Sequence, residues 1–185
     1  DKDLFRVKEA IRIRLNMEMS ITPDIVRTAA RLKPHQATLV PEKRQERTTE
    51  GGLDLTKKTS SLRRVIEVLK RNDIEVSLFI DPDIEQAEKA KLLGADAVEF
   101  HTGDYAAQVN TVGRKKQWQR LRNAVLVARQ LRLKTHAGHG LNYENVSALR
   151  SIRGIEELNI GYSIIARSLW NGLEDSVREM KRLIS

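Results

Sequence analysis

Two stretches of the chain combine residue types that can do chemistry: Pro41-Glu-Lys-Arg-Gln-Glu-Arg-Thr-Thr-Glu-Gly-Gly52 and His136-Ala-Gly-His-Gly-Leu141. The first sets charged and hydroxyl side chains ahead of paired glycines; the second sets two imidazoles among glycines. Neither composition suits packing. Each stands at the end of a segment that reads as a β-strand, and polar groups with glycines gathered past strand ends are how parallel α/β proteins build active sites. Gly138 and Gly140 would let backbone approach an anion, and a short helix after the last strand would add its N-terminal amides. The same glycines would serve equally in two ordinary turns, and spacing alone leaves both readings open.

The elements that must position these groups follow a strand-then-helix rhythm. Extended segments are expected at Ile13 to Met19, Gln36 to Val40, Glu75 to Asp81, Ala97 to His101, Leu133 to Ala137 and Glu157 to Ile160, with helices between them. Thr22 before Pro23 reads as a helix N-cap and first turn, Pro34 as its stop, Thr59 or Ser60 as the cap of the stripe Leu62, Val65, Ile66, Leu69, and Gly94 as the close of a helix from Ile84 to Leu93. Asp104 to Gly113 reads as loop, ahead of a long helix from about Arg114 to Leu131. A short helical turn, Ser163 to Trp170, and a final amphipathic helix, Leu173 to Ile184, end the chain.

One side-chain parity is polar in nearly every strand: Arg14, Asn16 and Glu18; Gln36 and Thr38; Ser77 and Asp81; Glu99 and His101; Glu157 and Asn159. An antiparallel sheet with one wet face would alternate in the same way. The intervening helices favour parallel strands around a polar, ligand-holding interior.

At 185 residues and 40% hydrophobic, the chain is expected to form a single domain over residues 1–185. It has no cysteine, which removes disulfides and thiolate chemistry, and no run approaching the roughly 18 apolar residues of a membrane span. The expectation is a cytoplasmic protein without membrane partners. The net charge of +8, from 33 Lys and Arg against 25 Asp and Glu, raises nucleic acid or phosphorylated small molecules as partners. Basic residues interleaved with acidic ones along the helices, and few aromatic residues for base stacking, argue against nucleic acid.

Taken together, Asn16-Met-Glu-Met19, the Pro-Glu-Lys-Arg segment through Asp54, Val76 to Asp81, Glu99-Phe-His-Thr-Gly103, Ala137 to Leu141 and Glu157 to Gly161 resemble the pyridoxine 5′-phosphate synthase family. The resemblance runs in order from Asp1 to Ser185. It implies a (β/α)8 TIM-type barrel, with about six of the eight units in this chain, the C-terminal three quarters. It implies a homo-oligomeric enzyme of vitamin B6 biosynthesis that joins 1-deoxy-D-xylulose 5-phosphate to 3-amino-2-oxopropyl phosphate, giving pyridoxine 5′-phosphate, inorganic phosphate and water, with no metal or organic cofactor.

Carried over by position, the resemblance implies Glu18 as proton acceptor, His139 as proton donor and Glu99 as transition-state stabiliser. It also implies Thr48, Gly140, Gly161 and Tyr162 as substrate-binding positions, with Tyr162 standing where the family has histidine. The family begins with two βα units carrying an Asn-x-Asp-His motif, arginines and a further histidine, and this chain starts after them. The expectation is therefore open sheet edges and an incomplete site. Two other readings stand beside this one: another phosphate-binding barrel enzyme acting on a sugar phosphate, and a basic nucleic-acid-binding domain.

Overall fold

The computed structural model describes residues 2–42, 51–57 and 59–185. Six strands form one sheet in sequence order: β1 (Asn16–Met19), β2 (Gln36–Leu39), β3 (Glu75–Ile80), β4 (Ala97–His101), β5 (Lys134–Gly138) and β6 (Glu157–Asn159). Every neighbouring pair is parallel, in register from Asn16 against Gln36 to Gly138 against Asn159. Helices α1 (Lys2–Ala10), α2 (Pro23–Leu32), α3 (Thr59–Lys70), α4 (Ile84–Leu93), α5 (Gly103–Ala106), α6 (Thr111–Gln130), α7 (Tyr162–Asn171) and α8 (Leu173–Ile184) flank it, with a 3-10 turn at Val146–Ser151. Six consecutive parallel strands under helices constitute six units of a TIM-type barrel, with β1 and β6 as the outer strands among the described residues.

Local chemistry explains the helix ends. Pro23 occupies the first turn of α2, where its missing N–H costs nothing, and Lys33 leaves the helix in left-handed backbone ahead of Pro34. Thr22 is the N-cap but its side chain makes no capping bond. Gly94 closes α4 at φ 91°, donating its N–H to the last carbonyls. Thr59 and Ser60 lie inside the first turn of α3 rather than before it. The expected loop from Asp104 to Gly113 contains most of α5 and the start of α6, where Asn110 caps by accepting from the Gly113 N–H at 2.7 Å.

β1 is shorter than expected. Ladder pairing with β2 starts at Asn16 because Gln36 is the first residue free of the α2 stop; the Leu15 N–H instead donates to His35 Nδ1 at 2.9 Å, and Ile13 is exposed.

The apolar parity of the strands faces the helices. Met17, Met19, Leu39, Val76, Leu78, Ile80, Val98 and Phe100 are buried there against Val26, Ala29, Leu32, Leu62, Ile66, Leu69, Ala87, Ala90, Leu121 and Val125. The opposite parity is a connected polar layer. Arg14 donates to Gln36 Oε1 and Glu75 Oε2, Lys134 donates to the same Glu75 oxygen at 2.7 Å, and Thr38 donates to Asn16 Oδ1 at 3.0 Å. Much of the helical charge is paired one turn away, as in Arg71 with Glu67, Lys89 with Glu85 and Arg178 with Glu174, which is the solvated-face arrangement. No helix among the described residues is long and apolar enough to cross a membrane.

Leu78 sits at the middle of this packing, fully buried on the central strand β3. Leu78→Ala is expected to lower stability by about 2 to 5 kcal/mol, from lost transfer energy plus the cavity left behind. Urea unfolding checks this, and a loss under about 1 kcal/mol would contradict the assignment of Leu78 to the core.

Candidate active site

The carboxyl ends of the strands open into one cleft of about 1350 Å³. Glu18 from β1, Glu99 and His101 from β4, Asn159 from β6 and His139 after β5 all line it, with Gly140, Gly161, Tyr162 and Ser163 on its rim. Parallel pairing causes this convergence, because side chains at the ends of different strands reach the same mouth. The expected site residues Glu18, Glu99, His139, Gly140, Gly161 and Tyr162 are thus brought together. Thr48 lies outside the described residues.

Glu99 is 3% exposed. Burial away from water pushes its carboxyl up to about 7; the nearby Glu18 and Glu157 carboxylates push the same way, and only the neighbouring Asn159 amide opposes them. A carboxyl held near neutrality can take or give a proton at physiological pH. Gly138 makes room for it: a Cβ there would stand 2.5 Å from Glu99 Oε1 and 3.0 Å from the Asn159 carbonyl oxygen. Gly138 is therefore a strand residue packed beneath a carboxylate. The anion-facing role expected for it does not fit that position.

His139 adopts φ 79°, left-handed backbone that a side chain rarely takes, followed by Gly140 at φ 77°. Such strain persists only where surroundings over-determine it. Here Thr102 donates its hydroxyl to the carbonyls of Gly138 and His139, each at 2.7 Å, Asn145 Nδ2 donates to the Gly140 carbonyl at 3.1 Å, and the Ser163 hydroxyl donates to the Leu141 carbonyl at 2.9 Å. Asn145 is itself fixed through Tyr105, whose hydroxyl donates to its carbonyl at 2.6 Å. The turn is built to present an imidazole. Gly140 is required besides, because a Cβ on it would meet Ala106 Cβ at 2.7 Å.

On the far rim Gly161 caps α7, and the space where its Cβ would stand is open. The first residues of α7, Tyr162 and Ser163, line the cleft beside Gly140 and Gly161, so a helix N-terminus, which suits an anion, lies at its rim. Tyr162 lines the cleft and is 91% exposed, so its side chain is largely in solvent. No Lys or Arg is found among the described residues lining the cleft.

The inward layer carries unfilled hydrogen-bonding capacity. Among the described residues Glu75 Oε1, Ser77 Oγ, Glu99 Oε2, His101 Nε2, His136 Nδ1 and Asn159 Nδ2 are buried without a partner, and all six belong to the inward parity of β3 to β6. His136, in the segment singled out by sequence, lies deeper in the interior; burial holds its imidazole below the ordinary value despite nearby Glu157, Glu156 and Glu75. No group of three or more His, Asp or Glu side chains among the described residues is placed to hold a metal ion.

His101 lines the cleft and Asp81 contacts it, although from the sequence both stood only as inward-facing residues within the resembling segments and were given no role. The signal was present in the polar parity of β3 and β4, but the pairing depends on their side-chain placement. His101 Nδ1 is 3.4 Å from Asp81 Oδ1, and the Gly52 N–H donates to the same oxygen at 3.0 Å. Of the Pro41 to Gly52 segment, residues 43–50 lie outside the described residues. Its returning end is anchored: the Leu53 N–H donates to the Phe79 carbonyl at 2.7 Å, and a Cβ on Gly52 would stand 2.4 Å from Ile80 Cα.

Residues 1–185 match the family described as "Pyridoxal phosphate biosynthesis protein PdxJ". A protein of Syntrophotalea carbinolica named pyridoxine 5′-phosphate synthase is 45% identical over 184 residues, covering all of this chain and 77% of that protein. A protein of the same name from Prochlorococcus marinus strain AS9601 is 48% identical over 185 residues, again covering all of this chain and 77% of the relative. One from Opitutus terrae is 47% identical over 182 residues, or 98% of this chain and 73% of the relative. At this identity and coverage, the chain belongs to the PdxJ family of pyridoxal phosphate biosynthesis proteins.

Proposed function

We propose that the chain carries the synthase chemistry named for its relatives, condensing 1-deoxy-D-xylulose 5-phosphate with 3-amino-2-oxopropyl phosphate to pyridoxine 5′-phosphate, inorganic phosphate and water. The observation that carries this reading is the meeting of Glu18, Glu99 and His139 in one cleft beside an open helix N-terminus. Closing a pyridine ring requires repeated proton transfers at carbon and oxygen, and carboxylates with an imidazole supply them near neutral pH. In this reading Glu18 accepts protons, His139 donates them, and Glu99 stabilises charge that develops between them. The amides around Gly140 and Gly161 receive a substrate phosphate, Thr48 and Tyr162 complete substrate binding, and residues 1–185 act as one domain.

Glu18→Gln and His139→Asn keep size and polarity but remove proton transfer, so each is expected to lower kcat by about 100-fold or more. The assay needs the site complete. The relatives extend beyond the matched region, and no Lys or Arg is found among the described lining residues to meet two phosphates. The 185-residue chain alone is expected to show no turnover, and supplying two βα units from a relative's N-terminal region, in one chain or in trans, to restore it. Robust synthesis by the isolated chain would overturn this placement of the machinery.

Glu99 supplies a test independent of turnover. In the fold its carboxyl is raised from the ordinary 4.5 to about 7. Between those values the folded chain binds more protons than the unfolded one, so stability falls as pH rises through the window and levels off above it. Glu99→Gln, uncharged throughout, is expected to remove roughly 3 kcal/mol of that fall. Urea unfolding of both proteins across the window measures it; an unchanged profile in the variant would refute a buried, proton-holding Glu99.

A further inference from the structure

His101 is a buried imidazole whose two nitrogens have unlike surroundings. The residue is 5% exposed and lines the cleft two positions beyond Glu99 on β4, so both side chains point to the same interior. Nδ1 faces Asp81 Oδ1 at 3.4 Å, whereas Nε2 is buried with no partner among the described residues. The ring is held on two further sides, by Phe79 edge-on at 5.4 Å between centroids and by His139 at 4.8 Å. Gly103 keeps side chains away from the free nitrogen, since a Cβ there would stand 2.6 Å from His101 Nε2.

Asp81 is suited to orient such a ring. It accepts the Gly52 N–H, lies in the field of Arg120, and its carboxyl is held below the ordinary value first by His101. A carboxylate beside Nδ1 stabilises the tautomer with the proton on that nitrogen, leaving a lone pair on Nε2. An unpaired buried acceptor is destabilising, and such a group persists where the atom serves a ligand.

We propose that His101, oriented by Asp81, is a further proton acceptor of this site, binding at Nε2 a hydroxyl or ammonium group of the phosphorylated substrates. In the step, an O–H or N–H of the substrate gives its proton to Nε2. The imidazolium formed is balanced by the Asp81 carboxylate, and the proton returns to a departing oxygen of water or phosphate. The proposal rests on the synthase reading above for its substrate and extends it to a residue pair outside the Glu18, Glu99 and His139 set.

The test uses the chain completed with the two N-terminal βα units, comparing wild type with His101→Gln and Asp81→Ala, together with ¹⁵N-histidine NMR of the unvaried protein. His101→Gln is expected to lower kcat about 100-fold with KM within threefold, and Asp81→Ala to lower kcat roughly 10-fold or more. NMR is expected to find His101 protonated at Nδ1 and bare at Nε2, with that preference lost in Asp81→Ala. Full kcat in His101→Gln, or a change confined to KM, overturns the proposal. A His101 protonated at Nε2 in the free wild-type protein overturns it whatever the reaction proves to be. A completed wild type that makes no pyridoxine 5′-phosphate refutes the synthase reading instead, and the NMR result then decides the pairing alone.

Discussion

Parallel pairing of consecutive strands is the constraint on which the site depends. Because each strand of the sheet runs in one direction, the carboxyl ends of β1, β4, β5 and β6 share one mouth, and residues far apart in sequence meet there. The pleat then sorts side chains. Apolar residues turn outward beneath the helices, where burial stabilises the sheet, and polar residues turn inward, where Gln36, Ser77, Glu99, His101 and His136 are removed from bulk water while Glu18 on the edge strand β1 stays exposed. One geometric rule thus separates the part of each strand that makes the fold from the part available for chemistry.

Inward polar residues are costly, and the way that cost is met differs along the strands. Toward the amino ends, Arg14, Gln36, Glu75 Oε2 and Lys134 are joined by charged hydrogen bonds, while Glu75 Oε1 keeps no partner among the described residues. Toward the carboxyl ends, Glu99, His101 and Asn159 keep unpaired atoms. Desolvation is what brings Glu99 to about 7, so the burial that destabilises its charge also suits it to exchange protons.

Glycines and the left-handed turn do the fine positioning. Gly138 admits the Glu99 carboxylate, Gly103 admits the His101 ring, and Thr102, Asn145 and Ser163 hold the turn that carries His139 in strained backbone. Asp81 links two devices, since it meets both His101 and the backbone at Gly52, where the Pro41 to Gly52 segment rejoins the sheet.

The amino-acid sequence by itself determined the strand and helix order, the inward parity and the segments that end at the mouth, because hydrophobic period, proline and glycine act over a few residues. It also carried the family, through the Pro-Glu-Lys-Arg and Gly-His-Gly segments. Local pattern did not reveal α5, the start of α6 before Arg114 or the late start of β1, since their limits are set by tertiary hydrogen bonds such as Leu15 to His35. Only the tertiary structure decided that Gly138 lies under a carboxylate, that His139 stands in left-handed backbone and that Asp81 faces His101. These are contacts between neighbouring strands and loops, and their distances depend on how the sheet curls, a property no single segment contains.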